Sequence, residues 1–479
     1  MLNIKVFKLN IMNSKSSQTE IDKLTPTEKR ASLSLASIYS LRMLGLFMIF
    51  PVFSLYGQQL EDNTPLLIGL AIGAYGLTQA IFQIPFGMLS DKIGRKPVIV
   101  AGMLIFAAGS VVAAVSDSIY GVILGRIIQG SGAVAAAVMA LAADLTREEH
   151  RLKIMATIGM SIGFAFAVAM VAGSILNEWI GVDGMFWLTA VFALLGVAVT
   201  LFWVPDAPKS FHRETEPVPE QFRTILKDRQ LLRLDMGILI LHMVLTATFL
   251  VIPIALVDEQ HANLPSAEHW KIYLPVMLLA MGMMVPFIII AESKRRMKEV
   301  FVGAISVVAL AELGFWEFHD SIYGLTIFIL VFFTAFNILE ASLPSLVSKM
   351  SPTEAKGTAM GIYSTGQFLG AFFGGLIGGK LLGLYGINGV FLFAASAMLV
   401  WLLFALTMKS PRYLSTYVVK LGKIQEQDVL KATAGLTAIR GVAEAVVIPE
   451  DQAAYLKVEL HALDKEGLLQ LSEQYSHEK

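Results

Sequence analysis

Glu340 lies about two turns inside a long apolar segment, 321–347, and His242 lies near the middle of another, 231–257. A carboxyl group at that depth is a proton carrier, neutral where water is excluded and charged where water returns. An imidazole can do the same, or simply satisfy itself within the helix packing. Two arginines occupy comparable positions: Arg42 in Ser40-Leu-Arg-Met-Leu-Gly45 and Arg126 in Gly125-Arg-Ile-Ile-Gln-Gly-Ser-Gly132. A cation inside hydrocarbon costs ~2.5–3.5 kcal/mol on insertion scales, so Arg126 either faces a cavity or partner, or snorkels to the surface. Glu340 is the first candidate to carry a transferable proton, with Arg42, Arg126 and His242 lining or supporting a cavity. Asp235 and Glu312 fall near the ends of their segments and read as solvated groups.

A second kind of chemistry is concentrated in the run from Gly87 to Lys96, Gly-Met-Leu-Ser-Asp-Lys-Ile-Gly-Arg-Lys, between two apolar segments. Charges packed this densely cannot lie in lipid, so the run is a tight loop. Gly87 and Gly94 permit close helix approach and a sharp turn. Asp91 supplies a carboxylate suited to a neighbouring helix N-terminus, Arg95 can pair bidentately with a carboxylate, and Lys96 completes the basic cluster. Asp144, at the end of the segment that carries Arg126, is a candidate partner for Arg95. Topogenic charges alone would need neither the glycines nor the acid.

The elements that position these groups are membrane spans. The chain is 55% hydrophobic and only 16% charged, with a mean hydropathy of +0.65, whereas soluble proteins carry about a quarter charged residues. Twelve segments reach span length: about 32–57, 66–86, 97–115, 119–143, 153–177, 184–204, 231–257, 270–291, 299–316, 321–347, 357–383 and 386–408. Loops 57–65, 116–119, 177–184, 258–269, 317–320 and 384–388 contain no Lys or Arg. The loops that alternate with them are basic, which places both termini in the cytoplasm. The polar first 31 residues have no sustained apolar core, so they do not read as a signal peptide, and Met12 is an alternative start.

The organisation is therefore a cytoplasmic segment 1–31, six helices in 32–204, a cytoplasmic linker 205–230, six helices in 231–408 and a polar tail. The halves read as copies. At an offset of 203, Lys153, Ala156, Ser161 and Gly163 align with Lys356, Ala359, Ser364 and Gly366; at 201, Asp91 and Arg95 align with Glu292 and Arg296. Thr25–Glu28 and Ser351–Glu354 read as capping boxes. Gly366, Gly370, Gly374 and Gly378 form a small-residue ridge for close helix packing. In the tail, 412–479, strands are expected over Leu414–Leu421, Val442–Ile448 and Ala453–Leu460, and helices over about 426–439 and 464–476. That order is a ferredoxin-like unit without its last edge strand. Its alternating strands predict one packed and one free sheet face, suited to docking, self-association or ligand sensing rather than catalysis.

The loop run fits G-x-L-x-D-[RK]-x-G-[RK]-[RK] at every fixed position, and Arg126 to Gly132 fits R-x-x-Q-G-x-G. On these motifs the chain resembles the major facilitator superfamily, and over about 32–408 its drug–proton antiporter branch. The resemblance implies an all-α membrane protein with twelve transmembrane helices in two six-helix pseudo-repeats, here followed by the small α+β domain. It also implies that Asp91 caps the eleventh helix and that Arg95 pairs with Asp144. One departure stands out: the first helix lacks the carboxylate that many multidrug exporters use for cations, and carries Arg42 instead.

The expected function is proton-coupled efflux of a small solute by alternating access across the inner (plasma) membrane. The alternatives are a membrane sensor whose tail binds a ligand, or a facilitative importer. The expected partners are a small-molecule substrate, protons and the lipid bilayer, with self-association possible through the tail and no nucleic acid. No enzyme activity, cofactor or metal site is expected: there are no cysteines, no Walker loop, and His461 and His477 are too isolated to make a metal site.

Overall fold

The computed structural model describes residues 24–206, 219–259, 262–352, 355–410, 415–422, 424–425, 428–449, 452–459 and 462–477. The chain divides into two compact units, Met1–Lys409 and Ser410–Lys479.

In the first unit, α1 (Pro26–Phe47) begins with a complete capping box. Thr25 Oγ1 accepts from the Glu28 amide, and the Glu28 carboxylate accepts from the Thr25 amide. Glu28 also binds Arg147 Nε at 3.0 Å, and this guanidinium holds its carboxyl down at about 2. The second capping box, at Ser351–Glu354, falls partly outside the described residues. The span expected over 32–57 is interrupted: α1 ends at Phe47 and a short α2 (Phe53–Gly57) follows. Pro51 explains the break, since it donates no amide hydrogen and its ring collides with the carbonyl four residues earlier.

Then come α3 (Pro65–Ile93), α4 (Arg95–Ala114), α5 (Ile119–Ser131), α6 (Ala135–Asp144) and α7 (Glu148–Phe202). The expected span 119–143 is thus split between α5 and α6 at Gly132. After α8 (Pro219–Lys227) follow α9 (Arg229–Val257), α10 (Trp270–Ser293), α11 (Met297–Phe318), α12 (Ile322–Met350) and α13 (Lys356–Leu406). Among the described residues nine helices are long and apolar enough to cross a membrane. Two of them, α7 and α13, break sharply at Gly181 (φ 64°) and Gly386 (φ 66°), a backbone conformation that side chains disfavour.

Helix α13 is the hub. Its ridge Gly366–Gly370–Gly374–Gly378 lies against α9: a methyl group at Gly370 would sit 2.2 Å from Leu239 O, and one at Gly374 2.3 Å from Met243 O. The adjacent face meets α3, where a methyl at Gly69 would sit 2.1 Å from Gly375 O and one at Gly73 2.8 Å from Phe372 O. Backbones approach this closely only where at least one of the two facing residues carries no side chain. The α3–α13 contact joins the first half of the chain to the second, and it includes the first turns of α3 after Asn63, where a methyl at Gly379 would sit 2.5 Å from Pro65 O.

In the second unit, β1 (Ser415–Lys420), α14 (Val429–Thr437), β2 (Val442–Ile448), β3 (Ala453–Val458) and α15 (Lys465–His477) form a three-stranded sheet of order β1-β3-β2. Both pairings are antiparallel, with Tyr417 and Ala445 opposite Leu456. Leu456 and Val458 are fully buried against Ala432, Leu436 and Leu468, which is the packed face the alternation predicts. Leu460 and His461 lie outside the described residues.

Candidate functional site

Glu340 and His242 come together, and the residue that joins them is one the sequence did not single out. Gln367 on α13 reaches His242 Nε2 on α9 at 2.8 Å, and its Nε2 donates to Glu340 Oε1 on α12 at 3.4 Å. His242 Nε2 lies 3.9 Å from Glu340 Oε2, and its Nδ1 is 3.3 Å from Ile238 O. With an Nδ1 proton donated to that carbonyl, Nε2 accepts from Gln367 and the ring is neutral; a proton on Nε2 would require the Gln367 contact to break. Glu340 Oε2 has no hydrogen-bond partner among the described residues. Three helices therefore converge on one carboxyl group with a free oxygen and a basic nitrogen beside it. The arrangement can hold a proton on either group.

Asp235 and Glu312 are not solvated, contrary to the sequence reading. Asp235 is 8% exposed and Glu312 fully buried. Glu312 Oε1 on α11 accepts from Thr248 Oγ1 on α9 at 2.7 Å, while Oε2 is unpartnered among the described residues. Position along a helix does not reveal which neighbour covers it: α13 reaches Asp235 because Gly366, with no side chain, sits against its backbone.

In the first half the two arginines form one cluster around Tyr75. Arg42 Nη2 donates to Tyr75 Oη at 2.7 Å, Gln79 Oε1 at 2.6 Å and Gly132 O at 3.2 Å. The last acceptor lies at the break between α5 and α6, where it also accepts from the Val134 amide at 3.0 Å. Arg126 donates to Ala71 O (3.2 Å), Ile72 O (3.3 Å) and Gln129 Oε1 (2.9 Å), and Gln129 donates onward to Ser110 Oγ at 2.8 Å. Both guanidinium groups lie against the Tyr75 ring, at 5.8 and 5.2 Å from its centroid. Arg42 is 1% and Arg126 2% exposed, so Arg126 does not snorkel.

At the opposite end of α3, Gly94 (φ 99°) makes the turn into α4. Arg95 then gathers the loop acids. It pairs with Asp91, its Nε binds Asp144 Oδ2 at 3.1 Å, and its Nη1 donates to Ser90 Oγ at 2.7 Å. Ser90 in turn donates to Gly87 O at 2.6 Å. Lys96 Nζ bonds Val204 O at 2.8 Å and Asp206 at 2.5 Å, which holds the Asp206 carboxyl below its ordinary range. Gly87 faces Ala136 on α6, where a methyl would sit 3.2 Å from the alanine Cβ. Asp91 thus closes onto Arg95 within its own half. In the second half Glu292, the counterpart of Asp91, pairs with Lys349 at 2.7 Å and not with the aligned Arg296.

A helical membrane bundle with this loop cluster and buried polar groups defines a class of protein. The sequence model of the Major Facilitator Superfamily matches residues 35–339 and 293–430, and the chain belongs to that superfamily of secondary transporters; it is not an enzyme. It is 49% identical over 439 residues to the inner membrane transport protein YajR of Escherichia coli (strain K12), covering 91% of this chain and 96% of YajR. It is 26% identical to the multidrug resistance protein MdtH of Yersinia enterocolitica over 343 residues, 70% of this chain and 83% of MdtH. Among solved structures, a point mutant of the nucleoside transporter NupG shares the fold, with a TM-score of 0.61 over 79% of this chain and 99% of that one at 16% identity.

Proposed function

We propose that the chain is a proton-coupled exporter of a small solute in the inner membrane, working by alternating access, with the coupling proton on Glu340. The observation that carries this reading is the Gln367 bridge between Glu340 and His242. A transporter that exchanges a proton for a solute needs a group whose charge changes when water reaches it, and a carboxyl with one unpartnered oxygen inside a span is such a group. The name of the multidrug-resistance relative supports export, and that of YajR supports the inner membrane.

The proposed architecture is twelve crossings in two six-helix pseudo-repeats with both termini cytoplasmic. Dividing α7 and α13 at their glycine breaks turns nine spans into eleven, and α1, which carries Arg42, supplies the twelfth. Cysteines placed at Asn63 and Asn263 should react with a membrane-impermeant maleimide in intact cells, and one at exposed Lys92 should react only after permeabilisation. The reverse pattern would refute the orientation.

For coupling, the measurement is gradient-driven accumulation of a panel of small solutes in proteoliposomes. Glu340→Gln should reduce accumulation driven by the pH gradient at least tenfold, while solute exchange without a gradient stays within about twofold of the parent. Undiminished gradient-driven accumulation in the variant would move the proton elsewhere.

A further inference from the structure

Embedded charge is divided unequally between the halves of this chain. In the second half the deep ionisable groups are the carboxyls Asp235, Glu312 and Glu340 with His242. In the first half they are Arg42 and Arg126, and among the described residues neither meets a carboxylate. Other arginines in this half do: Arg95 has Asp91 and Asp144, and Arg147 has Glu28. Arg42 directs its Nη2 group to three neutral acceptors, and its Nε and Nη1 are buried with no hydrogen-bond partner among the described residues. Three N–H donors of a charged group are therefore held out of water with nothing to receive them, an arrangement that costs stability unless an anion completes it.

We infer that Arg42, backed by Arg126 across the Tyr75 ring, is the seat for the anionic group of an organic acid substrate, a carboxylate or phosphate monoester. The inference rests on the transporter reading and adds the substrate class to it. Guanidinium is the side chain best matched to these oxyanions, because its N–H groups are fixed in one plane. Tyr75, Gln79 and Gln83 follow one another at four-residue spacing on α3, all buried, and Gln79 Nε2 donates to Gln83 Oε1 at 3.4 Å. They make a polar track leading from Arg42 toward the Ser90 end of the helix. Phe368 of α13 stands edge-on to the Tyr75 ring at 6.2 Å, so a ring from the second half covers the seat. Relative movement of α3 and α13 uncovers it.

The test is ligand-induced stabilisation of the purified full chain in detergent, with no pH gradient, so that its outcome is independent of proton coupling at Glu340. Benzoate and phenyl phosphate are compared with benzamide, tetraphenylphosphonium and chloride. A saturable rise in unfolding temperature is expected with benzoate or phenyl phosphate and not with the neutral, cationic or inorganic probes. Arg42→Gln should weaken that binding at least tenfold, and Arg42→Lys should retain part of it. Without ligand, Arg42→Gln should unfold at the parent temperature or higher, because it removes an uncompensated buried charge. A purely structural arginine gives the opposite sign. The assignment is overturned by equal stabilisation with benzamide or chloride, by unweakened anion binding in Arg42→Gln, by the absence of any response to both organic anions, or by a lower unfolding temperature of unliganded Arg42→Gln.

Discussion

Replacing Gly69 with valine is expected to reduce transport at least tenfold while leaving the protein inserted and folded. The reason is steric. The first carbon of any side chain at Gly69 would lie 2.1 Å from Gly375 O and 2.9 Å from Gly379 Cα, whereas packed interiors place such atoms more than ~3 Å apart and do not compress. Helices α3 and α13 must separate by about 1 Å or more, so the conformation in which they pack together after Asn63 becomes inaccessible. A cycle that alternates between two closures stops when one is forbidden, and the population moves to the other. A cysteine at Ile72, which is 6% exposed in this conformation, reports the change: its reaction with an external impermeant reagent should accelerate in the Gly69→Val background. Gly303→Val is the control, since a methyl there meets nothing within 4 Å. Parent-like transport and Ile72→Cys reactivity in Gly69→Val would show that this closure is not a step of the cycle.

Arg95→Ala should abolish transport and cost stability together, and the two effects should separate in a double variant. Arg95 sits between Asp91 and Asp144, whose side chains are 21% and 9% exposed. Removing the guanidinium leaves two acids facing one another in a partly dry site, a loss of about 3 kcal/mol by comparison with broken buried pairs. Adding Asp144→Asn removes one of the orphaned charges and should recover about half of that loss. Transport should stay below a tenth of the parent in both variants, because the gate we propose here needs Arg95 to hold the loop acids as the bundle changes closure. Asp91→Asn tests the same gate while sparing the Arg95–Asp144 pair: it should fold at near-parent stability and fail to cycle. Normal cycling by Asp91→Asn and by Arg95→Ala/Asp144→Asn would reduce the cluster to a structural clasp.

What the sequence determined by itself is what depends on neighbours in the chain. A span is written in about 20 consecutive apolar residues because the bilayer solvates each segment separately. The Gly87–Lys96 loop is legible because its glycines, acid and cations act within one turn of chain. The capping box at Thr25, the ridge from Gly366 to Gly378 and the strands at Val442 and Ala453 are local for the same reason, and the structure places each where its pattern sits. A second ridge, Gly69–Gly73–Gly76, carried an equally local signal in its spacing; only its partner on α13 was hidden.

Only the tertiary structure decided which distant groups meet and which are left alone. Gln367 joins His242 and Glu340 across 125 and 27 residues of chain, and no periodicity encodes a contact among three helices. Glu312 reads as an end-of-span acid, yet Thr248, 64 residues away, takes it into the interior. Arg42 reads as one cation in an apolar helix. Its meaning comes from what surrounds it: a tyrosine, a glutamine, a carbonyl at a helix break and, among the described residues, no carboxylate. Burial and unmet hydrogen bonds are properties of the assembled helices, because the free energy of a charge inside a membrane is set by the groups that pack around it and not by its neighbours in sequence.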